Sequence, residues 1–155
     1  MSQRKRISLV FFLTLGGILL WVGIIFLAPY LKNRGSGLNT LAYMFFTPVC
    51  HQIPDRSLCF LGHPLAVCSR CLGVYAGFLG GMGIYALRRG FSVLAMPKVR
   101  TFLLVTSPLV LDGLGNFFAL WSTSNWLRFS TGVLWGLILP FYFITGVADF
   151  FIQKK

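Results

Sequence analysis

The sequence is short of charge, and of negative charge above all. Only 3 of its 155 residues are Asp or Glu, and charged residues of every kind make up 11%, against about 25% in a typical soluble domain. So few charges cannot clothe the surface of a soluble fold of this size. There is no internal repeat, which leaves an inverted-repeat transporter without support. The apolar stretches lack the strict alternation of barrel strands, so helices are the remaining way to cross lipid. Outside Cys50 to Cys71 there is no cysteine and no histidine at all.

What is present is apolar. Hydrophobic residues reach 56%, and Phe alone contributes 16. They gather in runs at about 7–31, 70–87, 101–121 and 129–152. Each approaches or exceeds the roughly 20 residues that a bilayer crossing needs. The expected fold class is all-α: one integral membrane four-helix bundle, residues 1–155, with the lipid bilayer as its partner. The first run follows Arg4-Lys5-Arg6. It outlasts the roughly 7–15 residues of a signal-peptide core and lacks a cleavage site. It is therefore expected to remain as the first span.

The net charge of +11 would suggest nucleic acid in a soluble chain. Here the basic residues fall between the apolar runs, where they set topology and attract anionic headgroups, so no nucleic-acid partner is expected. With four spans, one side carries nine Lys and Arg: Arg4, Lys5, Arg6, Arg88, Arg89, Lys98, Arg100, Lys154 and Lys155. The other carries five: Lys32, Arg34, Arg56, Arg70 and Arg128. The expectation is a multi-pass protein of the cell (inner) membrane with both termini cytoplasmic. An outer loop, 32–69, and a short outer turn, Ser122 to Arg128, would face outward. Within the loop, Leu38 to Val49 is apolar but too short to span, which predicts an interfacial or re-entrant helix. Gly73, Gly77 and Gly81 recur every four residues, as do Gly132 and Gly136. Such stripes let helix backbones pack closely in lipid.

The chemistry is concentrated in the 22 residues from Cys50 to Cys71. Cys68 and Cys71 are three apart, so a helix starting there would place both sulfurs on one face. A helix N-terminus favours thiolate. One reading makes Cys50, His51, Cys68 and Cys71 the ligands of a metal, zinc by the softness of the donors, with His63 as an alternative fourth. Three ligands would leave a position open for water or substrate. A second reading is thiol–disulfide exchange through Cys68–Cys71, with Cys50 and Cys59 as a second pair. A third is a transporter or structural subunit with a disulfide-braced loop. All three stay open at this stage.

Asp112 is an ionisable group inside an apolar run, a functional candidate by default. Arg70 and Arg128 are its candidate partners; its roles would be base, metal ligand or helix-orienting partner. Asn125 and Arg128 are three apart and expected to face one cavity. Tyr75, one turn below Cys71, is expected to face it too. Arg56, Arg70 and Arg128 together would hold an anionic or lipid-like substrate.

The stretches Cys50-His51-Gln52-x-Pro54-x-Arg56-Ser57, Gly62-His63, Cys68-x-Arg70-Cys71-x-Gly73-x-Tyr75-x-Gly77, Asp112-Gly113 and Ser122-Thr123-x-Asn125-x-x-Arg128-x-x-Thr131-Gly132 resemble a family of small prokaryotic membrane proteins grouped as a domain of unknown function. The resemblance spans roughly residues 38 to 140 and implies a helical membrane protein without fixing an activity. Leu72 stands where the family pattern has a Thr, Asn116 lies near a common Gln, and Cys59 falls outside the pattern. The resemblance thus favours a cluster of three cysteines with His51 or His63.

Overall fold

The structure is a computed structural model that describes residues 3–89 and 96–153, with side chains from 5–87 and 96–150. Lys154, Lys155 and the centre of the loop between the second and third apolar runs lie outside the described residues. So do the side chains of Arg4, Arg88 and Arg89.

Five helices form the described chain: α1 (Gln3–Asn33), α2 (Leu38–Phe46), α3 (Ser69–Arg89), α4 (Val99–Phe117) and α5 (Asn125–Gln153). Among the described residues three stretches are long and apolar enough to cross a membrane, Lys5–Asn33, Ser69–Leu87 and Asn125–Phe150. The four-span expectation is thus met in three. Helix α4 falls short of that standard because Arg100, Asp112 and Asn116 dilute its apolar run.

Two expected boundaries move. The third run was expected to stay helical to 121, but α4 ends at Phe117. There Ala119 takes a left-handed φ of 52°, the Leu120 amide donates to Gly115 at 2.9 Å, and the Trp121 ring folds onto Gly115. The fourth helix was expected from 129 and begins at Asn125. Ser124 caps it, its hydroxyl accepting from the Leu127 amide at 3.2 Å, as serine does at helix starts. Asn125 and Arg128 therefore sit on a helix, not in a loop.

The tightest joint is α3 against α5. Gly73, Gly77 and Gly81 face the backbone carbonyls of Phe129, Val133 and Leu137, while Gly132 and Gly136 face those of Arg70 and Val74. A Cβ at any of these sites would collide with backbone, so the glycine stripes set the separation of the two helices. Numbers rise together along the seam, so α3 and α5 run parallel. Phe11 of α1 stacks on Tyr85 with centroids 6.0 Å apart, and Trp21 meets Tyr75 at 6.0 Å, so α1 runs antiparallel to α3.

Helix α4 runs antiparallel to α5. The Tyr142 hydroxyl donates to the Pro97 carbonyl at 2.9 Å, and Arg128 bonds to Asn116 at the other end. The two levels are fourteen residues apart on α5, a rise of about 21 Å. Pro108 interrupts α4 and lacks the N–H that would bond to Leu104. The Ser107 hydroxyl takes over that carbonyl at 2.9 Å, a substitution typical of helices in lipid.

One end of the bundle is closed by Val10, Phe11, Met82, Tyr85 and Ile144. Since Phe11 and Ile144 meet there, the first part of α1 and the last part of α5 share that end. The other end is covered by the long loop. Helix α2 buries Phe46 against Trp21, centroids 5.0 Å apart, and exposes Leu38, Leu41 and Met44. A two-residue turn at Leu61-Gly62, both with positive φ, joins strands β1 (Cys59–Phe60) and β2 (His63–Pro64). Such turns suit the twist of a hairpin. The hairpin returns the chain to a buried run, Leu65-Ala66-Val67, packed with Phe46 and Ile25.

Candidate functional site

Cys50 is held at the end of α2 by its own amide, which donates to the Phe46 carbonyl at 2.9 Å. The chain then turns sharply at Gln52, whose φ is 51°; its side-chain amide donates to the Tyr43 carbonyl at 2.7 Å. Cys68 arrives from the other direction, carried by the buried run 65–67 to the start of α3. Its carbonyl accepts from the Leu72 amide at 2.9 Å, the first bond of that helix. Cys71 follows on the same helical face.

The sulfurs of Cys50, Cys68 and Cys71 lie within 4.8 Å of one another. The Cys68 amide donates to the Cys50 sulfur at 3.1 Å. Cys50 is buried and the other two half-buried. Donation from the Cys68 thiol, then from the Cys71 thiol and the Cys68 and Gln52 amides, outweighs burial and holds the Cys50 thiol well below the usual thiol range. Neighbouring Tyr43 shifts the other way: burial raises its pKa, and its hydroxyl donates to the Pro64 carbonyl at 2.6 Å.

The sulfurs open on a cavity of about 350 Å³ lined also by His51, Gln52, Ile53, Arg56, Arg70, Asn116 and Arg128. Part of its wall belongs to a polar network joining three helices. Arg70 pairs with Asp112 through Nη2 and Oδ2. Asn116 donates from Nδ2 to Asp112 Oδ1 at 3.0 Å. Arg128 Nη2 donates to Asn116 Oδ1 at 2.8 Å, and its Nε donates to Thr123 Oγ1 at 3.1 Å. Asp112 and Arg128 are both buried. The network thereby ties α3, α4 and α5 together where the glycine seam ends.

The structure thus brings together Cys50, Cys68 and Cys71, and around them His51, Arg56, Arg70 and Arg128. It separates others. His51 is exposed and lines the cavity without joining the three sulfurs. His63 sits in β2, outside the cavity lining. Cys59 is exposed in β1, so Cys50 stands beside the CxxC pair and not beside Cys59. All four cysteines are free.

Tyr75, expected in the cavity, lines an apolar groove between α1, α3 and α5 with Leu13, Trp21 and Phe143. A step of four along α3 carries it past the sulfurs toward α1. Asn125, also expected there, turns to the loop. Its Nδ2 donates to the Asp55 carbonyl at 3.0 Å and to that of Ser57 at 3.4 Å. It fastens the segment carrying Arg56.

Asn116 and Thr123 are members of the network that the sequence showed only as positions of the family pattern, without a site role. The signal was available for Asn116, which is four residues beyond Asp112 and therefore on the same helical face. Thr123 stood only as part of the outer turn, and its partners depend on where α4 ends.

An apolar helical bundle with polar chemistry gathered at one end defines a membrane protein. The chain belongs to the family of predicted membrane proteins described as DUF2085, which it matches over residues 50–142. That span opens on Cys50 and includes every residue of the cavity. The chain is 35% identical over 126 residues to the uncharacterized protein MJ1492 of Methanocaldococcus jannaschii, covering 77% of this chain and 81% of the relative. It is 36% identical over 94 residues to an uncharacterized protein of Methanothermobacter thermautotrophicus, covering 61% of this chain and 83% of that one. No solved structure matches it.

Proposed function

We infer that Cys50, Cys68 and Cys71 are ligands of one zinc ion in a membrane-embedded metalloenzyme acting on an anionic, lipid-like substrate. The observation that carries this reading is the number of sulfurs. Ligands about 2.3 Å from one zinc stand roughly 3.8 Å apart. Three sulfurs mutually within 4.8 Å need only a small adjustment to reach that. A disulfide joins two sulfurs and would leave the third over. The fourth position falls to His51, which lines the same cavity, or to water or substrate. Asp112, with both oxygens engaged, orients Arg70; Arg128 and Arg70 face the substrate; Asn125 holds the loop bearing Arg56.

The protein would cross the membrane four times, with the α2–hairpin loop on the outer side and α2 lying at the interface. Support comes from α4, which follows α5 over about 21 Å despite its diluted apolar run. The shared end of α1 and α5 and the excess of Lys and Arg on that side support cytoplasmic termini.

Thiol–disulfide exchange is the second reading, favoured by the acidified Cys50 thiol beside the Cys68-x-x-Cys71 pair. Elemental analysis and thiol counting on the full chain purified in detergent separate the two. About one zinc per chain, lost in Cys68→Ser, is the expected result. Metal-free protein whose Cys68–Cys71 pair cycles between dithiol and disulfide would replace the metal reading with the redox one.

A further inference from the structure

The cavity that the sulfurs open on is also strongly cationic. Arg56, Arg70 and Arg128 all line it. Asp112 pairs directly with one of them, Arg70, and reaches Arg128 only through Asn116. Arg128 is 8% exposed, yet its partners Thr123 and Asn116 are neutral. Its Nη1 has no partner among the described residues. Arg56 likewise has no side-chain partner among the described residues, and Arg70 Nε is buried without one.

A buried guanidinium without a counter-anion is strongly disfavoured, and two more cations around the same cavity make it worse. The thiols do not cure the imbalance. With Cys50 alone ionised, three guanidiniums face two anions. If all three ionise around a divalent metal, the metal centre carries a single negative charge and Asp112 another, which still leaves a positive surplus. The protein has kept a cavity that lacks an anion in either state.

We propose that Arg56, Arg70 and Arg128 form a binding site for a phosphate-type oxyanion, either free phosphate or the phosphate of a lipid headgroup, seated beside the three sulfurs. Guanidinium forks match the oxygens of such a group and can engage it in pairs. The cavity lies where α3 and α5 begin and α4 ends, which is headgroup depth if these helices cross the bilayer. Its volume is at the small end of ligand pockets, enough for a headgroup while acyl chains remain outside. The proposal deepens the anionic-substrate reading above and rests on that placement, but not on the metal.

The test is calorimetry on the full chain in detergent, metal-loaded and metal-stripped, with inorganic phosphate, short-chain phosphatidic acid and the matching diacylglycerol. Saturable binding of a phosphate compound is expected in both samples, with no binding of diacylglycerol. Loss of a charge-assisted contact in Arg56→Gln or Arg128→Gln should weaken it roughly tenfold. Arg128 also braces the helices, so the exposed Arg56 keeps the test sound if Arg128→Gln misfolds. Phosphatidic acid bound well above inorganic phosphate identifies a lipid, and equal binding identifies free phosphate. Equal binding of diacylglycerol, unchanged affinity in Arg56→Gln, or no binding of either phosphate compound overturns the proposal. One zinc per chain without anion binding defeats this proposal and leaves the metal site standing, whereas anion binding by a chain that never takes up metal defeats the metal site and leaves this proposal standing.

Discussion

The two ends of the bundle are held by different physics. At the end shared by the start of α1 and the last turns of α5, apolar side chains pack on one another: Phe11 on Tyr85, and Tyr85 on Phe141 with centroids 5.4 Å apart. At the end under the loop, Arg70, Asp112, Asn116, Arg128 and Thr123 form a hydrogen-bonded network around a cavity. Packing in an apolar region is tolerant, because one side chain of suitable volume replaces another. A buried polar network is not, because removing one partner strands the others. The glycine seam joins the two ends and fixes the spacing that both require. The difference teaches that tolerance to substitution is lowest where the sulfurs converge.

The strongest way to break this contrast is at the seam. Gly77→Leu drives a side chain into the Val133 backbone and should destabilise the bundle by about 3 kcal/mol or more. Both ends should fail together, seen as aggregation in size-exclusion chromatography and loss of the zinc proposed above. A well-behaved variant with an unchanged thermal midpoint would mean that α3 and α5 do not approach this closely.

Asp112→Asn sharpens the contrast from the polar end. It leaves Arg70 without its carboxylate and should lower stability by about 2 kcal/mol, a value reduced from that of a fully buried pair because Arg70 is partly exposed. Zinc content should stay near that of the wild type, since Asp112 contacts Arg70 and Asn116 and not the sulfurs. Loss of zinc with unchanged stability would instead make Asp112 a ligand. The smallest effect is expected at the apolar end. Met82→Leu conserves volume in a buried site and should change stability by less than about 1.5 kcal/mol, leaving zinc content unaltered. A larger loss in the thermal midpoint would show that this end is as exacting as the other.

Much of the architecture was legible before the structure. Apolar runs placed α1, α3 and α5, and the four-residue glycine spacing marked the seam. The short apolar stretch after Gly37 became α2. The confinement of cysteine and histidine to one segment pointed to the site, and Cys68-x-x-Cys71 named two of its sulfurs. Helix ends were less legible. The turn at Ala119 depends on Trp121 folding back onto Gly115, a contact that no local propensity announces.

Tyr75 and Asn125 stand outside the cavity lining for related reasons. Each lies at a spacing compatible with the cavity, and each is drawn elsewhere by a partner distant in sequence: Trp21 for Tyr75, the carbonyls of Asp55 and Ser57 for Asn125.

By itself the sequence determined that this is a helical membrane protein and that its soft donors lie in one segment. Composition and run length suffice for that, because the preference of apolar side chains for lipid is local and additive along the chain. Which donors meet was decided by tertiary structure alone. Cys50 joins Cys68 across eighteen residues only because α2, the hairpin and a buried tripeptide fold the chain back, and Arg70 finds Asp112 only because α4 lies beside α3. Such meetings depend on many weak contacts acting together, and no spacing in the sequence records them.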